Sequence, residues 1–183
     1  YADLHAADGP FLIINATDLS IGALFPFHQD RFNLLCSDLE SFSVARAVAA
    51  SSAVPVAFFP VTLQNFDTCD VSRLALMQIE RPSGDRDPRI SRELEWRDSY
   101  VDKQKRPYIH LVDGGISDNL GIRTMTTRVL AAGGIIDAAG MLGNVPKNVA
   151  FIIVNAETDP VNPMDRDPRP PSAKEVLGAV TNV

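Results

Sequence analysis

The sequence lacks the features that would assign it at once to a simple class. Its longest apolar run, residues 129–136, is far shorter than the roughly 18 residues that a membrane-spanning helix needs. Lys and Arg total 17 against 23 Asp and Glu, a net charge of −6, and no basic stripe is present. This balance argues against a nucleic-acid partner and against a general attraction to anionic membrane surfaces.

Cysteine is scarce as well. Cys36 and Cys69 are the only two, too few for a disulfide framework or a zinc site. We expect two unpaired or partly buried thiols, with one disulfide as the alternative. The three histidines show no metal-ligand spacing, and we expect no metal and no cofactor; they are His5, His28 and His110.

What remains is the composition of a globular protein. The chain has 183 residues, of which 45% are hydrophobic and 22% charged. That balance excludes a disordered or collagen-like chain. The length fits one domain or part of a larger one, with enough apolar material for a core that needs no metal.

Local patterns predict alternating strands and helices. Apolar runs predict strands over residues 11–15, 23–27, 108–112 and 149–154. Helices are predicted over residues 44–50 behind Ser43, over residues 122–132 before a Gly-Gly stop, and after a Ser172–Glu175 capping box. The alternation predicts an α/β fold with a largely parallel sheet covered on both faces.

Residues 78–107 form a charged helical segment. They contain eight basic and seven acidic residues, and residues 91–106 are predicted to be a helix with one narrow apolar stripe. Mixed charge of this kind is typical of a solvated connecting helix, with a lid or partner surface as the alternative.

The string VDGGISDNLG, residues 112–121, is the strongest candidate for chemistry. Asp113 directly follows a predicted strand, and ligands of α/β sheets bind beyond the carboxyl ends of strands. Gly114 and Gly115 leave room for a substrate or for another stretch of backbone. The pattern also fits an ordinary Asp-Gly turn. A third interpretation is a Mg²⁺-dependent phosphoryl-transfer site at Asp113 and Asp118, although no phosphate-binding glycine–lysine loop accompanies it.

Three stretches in order resemble the patatin-like phospholipase family: FLIINATDLSIG at residues 11–22, FSVARAVAASSAVPVAFFPV at 42–61 and HLVDGGISDNLG at 110–121. The resemblance implies a three-layer α/β/α, mostly parallel sheet, incomplete in this chain. It implies a serine-dependent lipid acyl hydrolase with a Ser-Asp dyad. Asp113 matches the catalytic aspartate, and Gly114, Gly115 and Asn119 support the motif. Asn15, Asp18 and Asn119 are polar residues of the matched stretches near strand ends. We expect them to serve turns or caps, with shaping the cleft or orienting Asp113 as the alternative.

The family's Gly-x-Ser-x-Gly nucleophile motif is absent from all 183 residues. Ser51 and Ser52 end a predicted helix, and Ser117 fits a local turn bond, so we expect none of them to be the nucleophile. We therefore interpret residues 1–183 as the C-terminal portion of one patatin-like domain, inactive alone. The expected partners are the missing N-terminal part of that domain, a lipid ester substrate and a transient membrane or lipid-aggregate contact. A non-catalytic lipid-binding relative is the alternative, and the compartment is left open.

Overall fold

In the computed structural model, the described residues are 1–3, 12–71, 88–141, 148, 150, 152–154 and 168–181. The chain divides into two compact units, Tyr1–Val149 and Ala150–Val183, which are treated separately below. No helix among these residues is long and apolar enough to cross a bilayer.

The first unit is built on a four-stranded sheet. Its strands are β1 (Asn15–Asp18), β2 (Ala23–Pro26), β3 (Val61–Gln64) and β4 (Tyr108–Val112), in the order β2-β1-β4-β3. All three pairings are antiparallel. The central pair is short, since only Thr17 opposite Val112 and Asp18 opposite Leu111 are in register.

Helices surround this sheet. In chain order they are α1 (Gln29–Leu34), α2 (Val44–Ser51), α3 (Pro88–Val101), α4 (Gly115–Asp118), α5 (Arg123–Ala131) and α6 (Ile135–Met141). Helix α2 contacts β1, β3 and β4 through Ala47 and Ala50, both fully buried. Small residues on that face let the helix approach the sheet closely, because a larger side chain would hold the two apart.

The expectation of a mostly parallel, three-layer sheet is wrong for this part of the chain. Only the coarser class, a mixed α/β fold, is confirmed. Parallel neighbours need a long crossover connection, whereas β1 and β2 are joined by only the four residues 19–22. Gly22 adopts a φ of +62° in that turn, the left-handed region that glycine enters at little cost. The short turn therefore fixes the hairpin as antiparallel.

An aromatic cluster forms the centre of the core. The Phe25 and Phe27 rings meet edge to face with centroids 5.5 Å apart, and Phe27 stacks on Phe42 at the same distance. Phe32 closes the group, with its centroid 5.3 Å from that of Phe42. Such pairs contribute about 0.5–1.5 kcal/mol each beyond the burial of their area.

Helix α3 ends at Val101, five residues before the predicted end at residue 106. The burial of Ile90 agrees with the predicted apolar stripe, whereas the complete burial of Tyr100 is not expected of a solvated connecting helix. The Tyr100 hydroxyl donates to Oδ2 of Asp18 over 2.8 Å, and Arg106 donates to the same oxygen. Burial raises the pKa of Tyr100 well above its ordinary value, so the phenol stays protonated as a donor. The start of the charged segment, residues 78–87, lies outside the described residues.

Two strand predictions need correction. The first apolar run was expected to pair over residues 11–15, but its described part forms a strand only from Asn15, and the strand continues to Asp18. The run at 149–154 forms no strand in its described residues, 150 and 152–154, where Ile152 is 91% exposed. An apolar run becomes a strand only where another strand supplies its hydrogen bonds, and no strand among the described residues pairs with this one.

The second unit contains helix α7 (Ala173–Thr181). The predicted capping box is confirmed at its start. The Glu175 backbone N–H donates to the Ser172 hydroxyl over 3.3 Å, and the Ser172 N–H donates to the Glu175 carboxylate over 2.7 Å. These bonds satisfy two of the donors that a helix N-terminus leaves open.

Cys36 and Cys69 form a disulfide, so the expectation of two unpaired thiols is wrong. The bond joins the turn after α1 to the segment after β3, across 33 residues of sequence. Contacts between residues so far apart in the chain leave no trace in local sequence pattern.

Replacing both cysteines by serine should lower the free energy of unfolding by about 3–4 kcal/mol, because the bond restricts a loop of this size in the unfolded chain. Urea unfolding of the wild type and of Cys36→Ser/Cys69→Ser would measure this difference. Reductant should move the wild-type curve onto that of the variant and leave the variant unchanged. Superimposable curves without reductant would show that the bond is not formed.

Asp18→Asn should lower the free energy of unfolding by about 3 kcal/mol or more, because it leaves Arg106 without its anionic partner in a buried site. The same urea experiment measures the loss. Asp102→Asn is the matched control, since Asp102 pairs with Lys105 on the surface and should have little effect. Equal, small losses in both variants would contradict the proposed importance of the buried pair.

Candidate functional site around Asp113

Asp113 lies directly after β4, and its backbone is fixed by the end of α2. The Asp113 N–H donates to the carbonyl of Ala53 and the Gly114 N–H to that of Ser51, both over 3.0 Å. The last carbonyls of a helix have no partner within it, so these bonds satisfy both segments at once. Asp113 is therefore held by backbone contacts that do not involve its own side chain.

Gly114 is required by a close approach to β1. A Cβ atom added there would lie 2.3 Å from the carbonyl oxygen of Asn15, a contact that no side chain tolerates. At Gly115 an added Cβ would lie 3.1 Å from Oδ1 of Asn119 and from Oδ1 of Asp113. The first glycine thus lets the turn pack on β1, while the second leaves room for the carboxylate.

The Asp113 carboxylate is oriented by one oxygen. Oδ1 accepts the Gly115 N–H over 2.7 Å, and the residue is partly exposed. Among the described residues, Oδ2 has no hydrogen bond or ion pair. A carboxylate with one oxygen fixed and the other unengaged is arranged to accept a proton or a hydrogen bond from an approaching group.

Thr17 supports this turn, and sequence reasoning missed it. Its hydroxyl donates to the Asp113 carbonyl over 2.7 Å and lies 2.8 Å from the Ser117 hydroxyl. The side chain is almost completely buried, at 1% exposure. Thr17 follows the strand predicted over residues 11–15, and local pattern does not reveal a partner 96 positions away.

The other polar residues of the matched stretches do not contact the Asp113 carboxylate. The Asn15 side chain accepts a hydrogen bond from Thr124, and Asp18 belongs to the buried network with Tyr100 and Arg106. Asn119 is exposed at the end of α4. Asp18 also accepts the Ser20 N–H in the turn after β1, in agreement with the turn role expected for it. No hydrogen bond joins the side chain of Asn15 or Asp18 to the Asp113 carboxylate among the described residues.

Asp118 serves the neighbouring helix. Its two oxygens accept the backbone N–H groups of Ile122 and Arg123 at the start of α5, over 3.2 and 2.8 Å. Both oxygens of this buried carboxylate therefore stabilise the start of α5. In the described part of the chain, no group of three or more His, Cys, Asp or Glu side chains could hold a metal ion.

Ser52, Ser117, His28 and His110 have structural partners, whereas the Ser51 hydroxyl makes no hydrogen bond among the described residues. The Ser52 hydroxyl donates to the Val48 carbonyl over 2.8 Å, and that of Ser117 lies 3.4 Å from the Gly114 carbonyl, as the sequence predicts. His110 pairs with Thr62 across β3 and β4, and His28 caps α1. His5 lies outside the described residues.

An exposed apolar loop follows the carbonyls that hold Asp113. In it, Val56, Phe58 and Phe59 are 91%, 63% and 94% exposed. Val56 has a φ of +73°, a conformation that costs a β-branched residue about 1–3 kcal/mol. Exposed apolar groups in a contiguous patch mark a surface that binds something else.

Gly114→Ala should destabilise the protein by about 2 kcal/mol or more, because the new methyl group overlaps the Asn15 backbone. Gly115→Ala is the matched comparison and should cost less, since the Asn119 side chain can move away. Urea unfolding of the three proteins measures the difference. Equal losses in both variants would contradict the close packing of Gly114 on β1.

Three comparisons with known proteins were made for this chain. No family model matches it, and no curated protein or solved structure matches it. Function is therefore inferred from the geometry around Asp113.

Proposed function

We propose that this chain is part of a lipid acyl hydrolase in which Asp113 is the base of a Ser-Asp dyad. The observation that carries the proposal is the meeting of the three patatin-like stretches at one turn. The first supplies the Asn15 carbonyl over Gly114, the second supplies the Ser51 and Ala53 carbonyls, and the third supplies Asp113 itself. Stretches separated by 19 and 48 residues that pack around one turn support a shared site.

The chemistry needs a serine beside Oδ2 of Asp113. The serine oxygen forms a bond to the ester carbonyl carbon while its proton passes to the carboxylate. The ester alcohol then leaves with that proton, and an acyl-enzyme remains. Water adds by the reverse proton path and releases the fatty acid. Backbone amides of a glycine-rich loop would stabilise the tetrahedral oxyanion. In this mechanism, Asp113 acts without histidine or metal.

The nucleophile is proposed to come from sequence outside this chain, in the N-terminal part of the same domain. Ser52 and Ser117 use their hydroxyls within their own turns. A covering segment needs a surface to pack against, and the exposed loop with Val56, Phe58 and Phe59 provides one beside Asp113. The same apolar side chains suit a transient contact with a lipid aggregate. A parallel sheet is not part of the proposal.

The alternatives receive less support. For a Mg²⁺-dependent phosphoryl-transfer site, Asp118 is buried at the start of α5, and no group of three or more His, Cys, Asp or Glu side chains is assembled among the described residues. A non-catalytic lipid-binding relative does not need a carboxylate with one oxygen oriented and the other unengaged, as Asp113 has.

Fluorophosphonate labelling of the complete gene product, followed by intact mass, tests the proposal. The wild type should gain one adduct, and Asp113→Asn should label about 100-fold more slowly or less, because the serine loses its base. Asp98→Asn is the matched control, since Asp98 is an exposed carboxylate on α3. EDTA should leave labelling unchanged.

The isolated 183-residue chain should not label. Serine-specific labelling of that chain would place the nucleophile within it and contradict the proposed division. Equal labelling of the wild type and of folded Asp113→Asn would remove Asp113 from the mechanism. If a folded wild type does not label, two alternatives remain, the Mg²⁺ site and the non-catalytic binding relative. Activity that EDTA abolishes would indicate the Mg²⁺ site, and no activity with or without EDTA would indicate the binding relative.

A further inference from the structure

A second site lies at the outer edge of the sheet. A cavity of about 440 Å³ opens between β3, α1 and the start of α2. Its walls are mainly aromatic and aliphatic, and include Phe32, Leu35, Phe42, Leu63, Phe66 and Tyr108. Small-molecule sites typically have volumes of about 300–1,000 Å³ and such walls, with a few polar groups to fix the ligand.

Arg46 supplies the charge of this cavity. It is the only charged residue among the described residues that line it. One of its terminal nitrogens donates to the Thr62 carbonyl over 2.9 Å, and the guanidinium carbon lies 5.5 Å from the centre of the Phe42 ring. These two contacts orient the guanidinium. Its other N–H donors have no hydrogen-bond partner in the described part of the chain.

The β3 backbone adds polar groups to the same wall. The Asn65 N–H donates to the Pro107 carbonyl, toward the β4 side of the sheet, whereas the Thr62 carbonyl faces Arg46. The backbone N–H and C=O groups of successive residues point alternately to the two sides of a strand. Those of Gln64 therefore point the same way as the Thr62 carbonyl, and Gln64 is among the residues that line the cavity. The cavity therefore has the Arg46 cation and the Gln64 backbone N–H on one side and apolar side chains on its other walls.

We propose that this cavity binds a long-chain carboxylate, with the carboxylate on Arg46 and the acyl chain against Phe32, Phe42 and Phe66. The planar guanidinium matches a carboxylate in a two-point hydrogen bond. A doubly charged phosphate would call for a second cation, which the described lining does not contain. The choice of an acyl chain rests on the proposed function, since ester hydrolysis releases that acid.

The cavity is separate from the Asp113 site. Thr62 lines the cavity and pairs with His110 on β4, three residues before Asp113. Three residues of extended strand span roughly 10 Å, and Asp113 is not among the lining residues. The two sites can therefore be altered independently.

Calorimetric titration of the full-length protein with dodecanoate, below its micelle concentration, tests the proposal. Arg46→Gln should weaken binding roughly 10- to 100-fold through loss of a charge-assisted hydrogen bond. Gln64→Glu should weaken it comparably, because it adds a negative charge to the cavity wall. Arg92→Gln and Gln104→Glu make the same charge changes at exposed positions that do not line the cavity, and should stay within twofold of the wild type.

Two further ligands separate the parts of the site. Dodecyltrimethylammonium has the chain with the opposite charge, and acetate has the head without the chain; both should bind at least 10-fold more weakly than dodecanoate. No binding of dodecanoate by the wild type, or equal binding by wild type and folded Arg46→Gln, would overturn the proposal.

The Asp113→Asn variant separates this proposal from the function proposed above. It should bind dodecanoate like the wild type, since Asp113 does not line the cavity. If the wild type binds dodecanoate but takes no fluorophosphonate, the cavity assignment stands and the hydrolase proposal fails. If the wild type takes the fluorophosphonate but does not bind dodecanoate, the hydrolase proposal stands and the cavity assignment fails.

Discussion

The buried carboxylate of Asp18 is the constraint on which the first unit depends. It is completely inaccessible to solvent, and it accepts hydrogen bonds from the Tyr100 hydroxyl, the Arg106 guanidinium and the Ser20 N–H. Removing a charge from water costs several kcal/mol unless partners of this kind surround it. The turn after β1 and the end of α3 must therefore meet at this point.

The pairing of β1 with β4 sets the position of Asp113. Asp18 pairs with Leu111 in the sheet, and Thr17 pairs with Val112. The ladder between β1 and β4 ends there, so the next residue of β4 leaves the sheet beside the start of β1. Gly114 can then pass under the Asn15 carbonyl, and α2 receives the Asp113 and Gly114 N–H groups. The position of Asp113 thus follows from the β1–β4 register, from the close approach of Gly114 to β1 and from the end of α2.

Local pattern predicted several elements well. Strand β4 has the predicted bounds, and α2 and α5 agree within one residue at each end, because a proline or a pair of glycines follows each of those helices. The glycines adopt φ values of +91° and +152°, as a helix stop requires. Asp113, Gly114 and Gly115 were also identified as one turn, since a polar residue and two glycines directly after a strand have few other uses.

The remaining features depend on contacts distant in sequence. The β1–β4 pairing, the Cys36–Cys69 bond and the role of Thr17 each join residues between 33 and 96 positions apart. Helix α3 shows the same limit. Its charge pattern is that of a surface helix, yet Arg106, just beyond its end, pairs with a buried carboxylate that local pattern does not reveal. Burial of one charged residue depends on its partner rather than on its neighbours in the chain.

The two proposed sites share strand β4 and have opposite electrostatic character. A carboxylate product would be repelled by Asp113 and attracted by Arg46. Arg46 is held at Thr62, which pairs with His110, roughly 10 Å of strand before Asp113. That distance is comparable with the Debye length of about 8–10 Å at physiological salt, so screening weakens the attraction of Arg46 for a product still held at Asp113 without abolishing it. The strength of capture then depends mainly on the guanidinium of Arg46 and on the aromatic walls of the cavity.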